Sequence, residues 1–197
     1  MTVIHTIGHS NHEIDAFITL LKGRGIGAIA DVRSHPGSQR FPQFDRSALQ
    51  PSLERAGIRY VFLGDSLGAR PRDPKCYTNG IADFSLIRAS RPFQDALERL
   101  RRGADEYQIC LMCAEREPAE CHRTWLVAQT LHDTGATVRH ILADGSIEVH
   151  DALLRRITSA DFTTASLFDD DTAVLAAAAK RMEERVAYRL EESGEDA

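Results

Sequence analysis

A chain of 197 residues, 43% hydrophobic and 27% charged, is long enough for one ordinary domain with a full core plus an appendage. No stretch approaches the ~18 apolar residues of a membrane helix, and Met1-Thr2-Val3-Ile4-His5 lacks a signal-peptide layout, so no membrane contact and a cytoplasmic location are expected. Of the net charge of −5, residues 158–197 hold ten of the 29 acidic and four of the 24 basic groups, a balance of −6 that leaves +1 elsewhere, which argues against strong non-specific binding to nucleic acid.

Val3 to Ile7 is β-branched and ends at Gly8, a strand followed by a turn. Ile14, Phe17, Ile18 and Leu21 recur at helical spacing until Gly23 and Gly25, with Ser10 or Asn11 as candidate caps. Ala28 to Val32 reads as a second, buried strand, running into a loop with Pro36, Gly37 and Pro42. Asp45 is placed to cap a helix through Leu49 and Leu53 to Gly57. Tyr60 to Leu63 is a third strand, and Asp65 to Gly80 a long loop of the kind that is usually functional or mobile. Phe93, Leu97 and Leu100 mark another helix, and Gln108 to Met112 a fourth strand. Pro118 suits the first turn of a helix that runs past Trp125 and Leu131 to Gly135. Thr137 to Leu142 is a fifth strand, and Asp144-Gly145 turns the chain before Ile147-Glu148-Val149-His150.

This alternation predicts an α/β fold: a three-layer, mostly parallel five-stranded sheet with helices on both faces. Residues 3–157 are expected to form that single domain and residues 158–197 an acidic linker and C-terminal helix. The helix, from about Ala173 to Glu191, carries the apolar stripe Val174, Ala177, Ala178, Met182, Val186 and Leu190. Such a stripe packs on the body or on a second copy, making a homodimer.

The segment Cys113-Ala114-Glu115-Arg116-Glu117-Pro118-Ala119-Glu120-Cys121-His122-Arg123 concentrates the chemistry. It links a strand to a helix, where open α/β sheets bind ligands. Four cysteines (Cys76, Cys110, Cys113, Cys121) in a reducing compartment point to catalytic, metal-binding or simply buried thiols rather than disulfides. A helix start lowers a nearby thiol pKa, so one of Cys113 and Cys121 is a candidate reactive thiolate. His122 is a candidate base, Glu115 an acid or orienting group, and Arg123 an anion clamp. The plainer reading packs Cys121 in the helix and pairs Glu115 with Arg123.

A metal at Cys113, Cys121 and His122 is the third reading. The spacing is not that of a zinc finger, and adjacent residues on a helix point about 100° apart, which counts against it. After the other strand ends come His9 and Ser10, then Asp31, Arg33, Ser34, Ser38 and Arg40, while Arg70 sits in the long loop. Asp31 and Arg33 either reach a shared cleft or form an ion pair. The excess of arginine over lysine, of which only Lys22, Lys75 and Lys180 occur, suits anion recognition but is equally explained by genomic composition.

Thr6-Ile7-Gly8-His9-Ser10, Asp31-Val32-Arg33-Ser34 with Pro36, Ser38 and Phe41, and Leu67-Gly68 with Arg70 belong to a longer pattern. Cys113-Ala114-Glu115, Cys121-His122-Arg123, and His140-Ile141 with Asp144-Gly145 and His150 complete it. The chain in this respect resembles the domain of unknown function 488 family, bacterial and archaeal proteins whose cysteines are regarded as functionally important. The resemblance covers about residues 3 to 150 and implies no settled activity.

Two functions follow from these residues. One is an enzyme, a thiol- or carboxylate-dependent hydrolase or transferase, acting on a small anionic substrate that is nucleotide-like or phosphorylated. Cys113, Glu115, Cys121 and His122 would be catalytic, with His9, Ser10, Asp31, Arg33, Arg70 and Arg123 binding the substrate. The other is a non-catalytic module that binds nucleic acid or metal. No phosphate-binding P-loop and no dinucleotide fingerprint is present.

Overall fold

A strand in the middle of a three-layer protein meets apolar helices on both sides, so its residues are buried at every position rather than at alternate ones. Ile109 to Cys113 has that pattern: Ile109, Leu111 and Cys113 join one core cluster, Cys110 and Met112 the other. The computed structural model describes residues 2–38, 40–161 and 171–190. Strands run, in chain order, over Val3–Gly8 (β1), Ala28–Asp31 (β2), Arg59–Phe62 (β3), Tyr77–Thr78 (β4), Ile81–Ala82 (β5), Ile109–Cys113 (β6), Thr137–Ile141 (β7) and Ile147–Val149 (β8). The main sheet has six strands in the order β3-β2-β6-β1-β7-β8, all parallel except β8, which returns antiparallel to β7. The α/β, mostly parallel architecture expected of the sequence is therefore present. The sixth strand is the segment after the Asp144-Gly145 turn, where Gly145 adopts φ 84° and Asp144 Oδ1 accepts from the Ser146 backbone N–H at 2.9 Å.

Helices occupy Ile14–Lys22 (α1), Arg46–Arg55 (α2), Gly64–Leu67 (α3), Phe84–Ala89 (α4), Arg91–Ala104 (α5), Gln129–Asp133 (α6), His150–Asp161 (α7) and Asp171–Val186 (α8). Phe17, Leu21, Leu49 and Leu53 of α1 and α2 cover one face against Ile7, Ile29, Cys110 and Met112. The opposite face is covered by α5, by residues 123–131 and by α7 and α8, through Phe93, Leu97, Trp125, Leu126, Leu153 and Met182.

Several expected elements differ in detail. The long loop after β3 folds into α3, a 3-10 turn at Pro74–Cys76 and the β4-β5 hairpin. The helix α1 begins at Ile14, so neither Ser10 nor Asn11 caps it. Asp45 occupies the N-cap position of α2 without a side-chain cap bond; its carboxylate accepts from the Ser38 backbone N–H instead. The helix expected from Pro118 onward is interrupted: Pro118–Glu120 is a 3-10 turn, Cys121 is extended, and Arg123–Ala128 is π-helical before α6.

The C-terminal helix ends at Val186, and residues 187–190 continue as extended chain, with Ile81 bridging Arg189. Its buried residues are Ala178, Ala179 and Met182, packed on this chain's own body, while Ala177 and Leu190 face outward. The middle of the proposed acidic linker, residues 162–170, and the last helical position expected, Glu191, lie outside the described residues. No helix among the described residues is long and apolar enough to cross a membrane.

Candidate functional site

Parallel pairing of β6 with both β1 and β2 fixes which loops meet. Gly8 lies opposite Cys113 and Asp31 opposite Met112, so the loops after β1, β2 and β6 leave the same sheet edge side by side. The connection from β1 leads toward β2 and β3, whereas that from β6 leads to β7 on the far side of β1. This reversal is the topological switch point at which open α/β sheets place ligands. Backbone bonds extend the pairing past the strand ends: His9 N–H donates to Cys113 O at 2.9 Å and Ser10 N–H to Ala114 O at 3.0 Å. Ser10 adopts φ 47°. A Cβ on Gly8 would stand 1.8 Å from the carbonyl oxygen of Glu115, so only glycine lets the Glu115 loop cross here.

These loops surround a cavity of about 1140 Å³. Of the residues expected from sequence, His9, Ser10, Arg33, Arg70, Cys113, Glu115 and His122 line it. Asp31, Cys121 and Arg123 do not; they stand behind the wall. Asp31 is fully buried and accepts from Arg33 Nη2 at 2.7 Å, from Arg33 Nε at 2.9 Å and from Tyr60 Oη at 2.7 Å. Burial and the Asp31 carboxylate push the Tyr60 phenol up. Arg33 Nη1 donates to His9 Nε2 at 3.2 Å and to Phe44 O at 3.0 Å. His9 Nδ1 faces Ser10 O at 3.0 Å, and its ring stacks on Phe44 with centroids 4.3 Å apart. Burial and the Arg33 charge bring His9 down to about 4, so it is a neutral imidazole with the proton on Nδ1.

Arg123 is fully buried and does not act as a clamp on the cavity. Its Nη1 donates to Glu115 O at 2.6 Å and its Nη2 to Arg116 O at 3.5 Å, while Nε has no partner among the described residues. The guanidinium thereby shapes the Glu115 loop and adds a positive charge behind the thiols.

The cysteines are all free and buried. Cys113 Sγ lies 3.6 Å from His122 Nδ1, and His122 Nε2 donates to Val32 O at 3.0 Å. Cys121 Sγ is 2.9 Å from Glu115 Oε2, close enough that a proton must lie between them, and accepts from the Arg123 backbone N–H at 3.4 Å. The ligating atoms of Cys113, Glu115, Cys121 and His122 all fall within 4.8 Å of one another. Burial disfavours a charge on Cys121, yet the hydrogen bond with Cys113, the Arg123 charge and His122 outweigh it and hold this thiol well below its ordinary value. Cys113 moves the other way, raised by burial, by Cys121 and by Glu115. Burial and Cys121 also raise Glu115. Burial alone would lower His122, but Cys121 and Glu115 outweigh it and raise it. The arrangement can hold one anionic sulfur against cationic partners, or bind a cation through all four donors. Because Cys121 precedes the helix in an extended conformation, it and His122 converge, and the 100° argument against a shared ligand does not apply.

Residues of the last described segment complete the cavity: Arg185, Val186, Ala187, Tyr188 and Arg189 form one wall. They do not stand out in the sequence, because they sit in a tail whose net charge is opposite to theirs. No local sequence signal marks them; Arg70 lies over the Tyr188 ring at 4.4 Å, a contact between distant parts of the chain.

The fold and the cluster define an α/β protein with a thiol–imidazole–carboxylate centre at the carboxyl edge of its sheet. The family described as Domain of unknown function DUF488 matches residues 13–130, and the chain belongs to that family. Its matched range includes Arg33, Arg70 and the whole Cys113–Arg123 segment but not His9, His140 or His150. Neither a curated protein nor a solved structure gives a match.

Proposed function

We propose that the protein is an enzyme acting on a small anionic substrate, nucleotide-like or phosphorylated, by hydrolysis or group transfer at the Cys113, Glu115, Cys121 and His122 cluster. The observation that carries this reading is the wall of the cavity: Arg33, Arg40, Arg70, Arg116, Arg185 and Arg189 against only Glu115 and Glu120. Arg33 is held by Asp31, and Arg185 lies 3.5 Å from Glu120. Arg40, Arg70, Arg116 and Arg189 make no ion pair among the described residues; Arg40 and Arg70 rest on the Phe41 and Tyr188 rings, which leaves the charge of all four uncompensated by a carboxylate. Guanidinium groups converging on a concavity focus a positive potential and recognise phosphate oxygens in pairs. Phe41 and Tyr188, each with one face against an arginine, add apolar ring surface to the wall.

A bounded cavity supports a small ligand better than it supports a nucleic-acid strand, which needs a basic track. Titration calorimetry with inorganic pyrophosphate and with nucleoside mono- and diphosphates tests the reading. Binding should weaken with rising salt, and Arg40→Ala and Arg70→Ala should each lower affinity at least ~10-fold, the scale of a charge-assisted hydrogen bond. Absence of binding to every phosphate compound at low salt would overturn it.

A further inference from the structure

The geometry points to a metal centre: Cys113 Sγ, Cys121 Sγ, His122 Nδ1 and Glu115 form a four-donor site for one divalent transition metal ion, Zn²⁺ by preference. The first argument is distance. Zinc bonded to sulfur at about 2.3 Å and to nitrogen at about 2.0–2.1 Å in a tetrahedron sets those two ligands roughly 3.6 Å apart. Cys113 Sγ and His122 Nδ1 are 3.6 Å apart, and all four donors lie within 4.8 Å of one another. The Cys121–Glu115 separation of 2.9 Å is shorter than a shared ion needs, and Glu115 stands at the cavity wall, where its side chain has space to withdraw.

The second argument is the support around the donors. His122 Nε2 donates to Val32 O at 3.0 Å, which places that proton on Nε2 and aims the Nδ1 lone pair at the cluster. A metal-bound imidazole is characteristically fixed in this way by a carbonyl on its other nitrogen. The Arg123 backbone N–H donates to Cys121 Sγ at 3.4 Å, an orientation that suits a coordinated thiolate.

The third argument is charge. Arg123 is a fully buried guanidinium that faces carbonyls and has no ion pair among the described residues. A buried cation needs a compensating anion. Two thiolates and one carboxylate around a divalent ion carry one net negative charge, and Arg123 neutralises it. On binding, the ion displaces the proton of the Cys113 thiol and the one shared between Cys121 and Glu115, and both pass to solvent.

Three donors are buried, and the fourth, Glu115, lies on the cavity side. Four protein donors close a tetrahedral site, and withdrawal of Glu115 toward the cavity would open one position to a ligand there. Two thiolates and an imidazole disfavour Mg²⁺ and Ca²⁺, which take oxygen ligands. The inference concerns the same cluster as the proposed enzyme site but does not depend on the anionic substrate.

Metal analysis of the full chain after dialysis against Zn²⁺, with Co²⁺ replacement read by absorption, tests it. One equivalent of zinc per chain is expected, and the cobalt form should show thiolate-to-metal charge transfer with tetrahedral ligand-field bands. Cys113→Ser and Cys121→Ser should each weaken metal affinity more than tenfold, while Cys76→Ala and Cys110→Ala keep one equivalent. Glu115→Gln, which keeps the size and hydrogen-bonding capacity of the side chain, should keep the charge-transfer band but shift the ligand-field bands and weaken affinity. Folded wild-type protein that takes up no zinc or cobalt overturns the inference, as does a folded Cys113→Ser/Cys121→Ser double variant that keeps a full equivalent. Pyrophosphate binding that persists without metal would leave the anionic-substrate reading standing alone, whereas metal binding in Arg70→Ala without pyrophosphate binding separates the two in the other direction.

Discussion

Arg33 joins the second strand to the first by donating from Nη1 to His9 Nε2 at 3.2 Å while its other nitrogens hold Asp31. Two loops that would otherwise be independent thus share one buried cation. Asp31 is fully buried and Arg33 is 4% exposed, so neither charge has water to fall back on. Removing one partner of such a pair leaves the other uncompensated, which costs about 3–5 kcal/mol. Asp31→Asn and Arg33→Gln should each lose stability on that scale in urea denaturation, and Asp31→Leu/Arg33→Met should recover part of it. Single variants within about 0.5 kcal/mol of wild type, the range of an ordinary surface change, would show that the pair is dispensable.

Gly8 sets the distance between the loops after β1 and β6 in the same region. A methyl group there would have to displace the backbone of Glu115, whose carbonyl carbon as well as oxygen lies within 2.7 Å of the Cβ position. Backbone cannot rotate aside as a long side chain can. Gly8→Ala should therefore move the Glu115 loop, lower the thermal midpoint and reduce metal affinity, whereas Gly57→Ala, with nothing within 4 Å, should cost only the strain of its φ of 78°. Unchanged metal affinity in a folded Gly8→Ala protein would separate the loop from the cluster.

The sheet was legible because its strands are short runs rich in apolar and β-branched residues, as in Ala28 to Val32, or end at a glycine, as in Val3 to Gly8. So was the meeting of Gly8, Asp31 and Cys113 at one edge, since parallel strands joined by helices leave no other arrangement. What escaped is decided by packing rather than pattern. Nothing local in Pro118–Glu120 and Cys121 announces that the helix starts only after Cys121, yet that extended residue brings Cys121 and His122 together. Arg123 reads as a surface clamp by composition, and only the tertiary fold shows it turned inward onto Glu115 O. The contribution of Tyr188 and Arg189 to the cavity depends on where α8 docks, a long-range contact that no window of sequence contains.

That docking can be tested directly. Glu183 of α8 pairs with Arg88, which also donates to Trp125 O at 2.6 Å and to Thr130 Oγ1 at 3.0 Å. Both charged groups are mostly shielded, so Glu183→Ala should cost about 1–3 kcal/mol by leaving Arg88 short of a partner. Ending the chain at residue 170 should cost more, because Ala178, Ala179 and Met182 leave the core. It should also weaken pyrophosphate binding, because Arg185 and Arg189 are lost from the cavity wall. A truncated protein with the wild-type melting temperature and wild-type pyrophosphate affinity would refute both roles.

On the far side of the first strand a run of neutral histidines makes stability depend on pH. Thr6 Oγ1 meets His140 Nδ1 at 2.8 Å, His140 Nε2 meets His150 Nδ1 at 3.0 Å, and His150 Nε2 meets Gln129 Oε1 at 3.0 Å. The bonds are satisfied in one direction: Thr6 donates to His140, His140 to His150, and His150 to the Gln129 carbonyl, each ring carrying one proton. A second proton on either ring would break the chain. Burial and the His132 charge bring His150 down to about 4; burial, His150 and Arg123 bring His140 well below its ordinary value. In the unfolded chain both titrate near ~6.5. Between about 6.5 and 4 the unfolded state therefore binds protons that the native state refuses, so stability is complete above that window and falls as pH drops through it. Urea midpoints should decline from pH 7 to pH 5, and the decline should be shallower in His150→Gln, which keeps a hydrogen-bonding group without the titration. Equal slopes for wild type and His150→Gln would mean that this histidine chain does not control the acid limb.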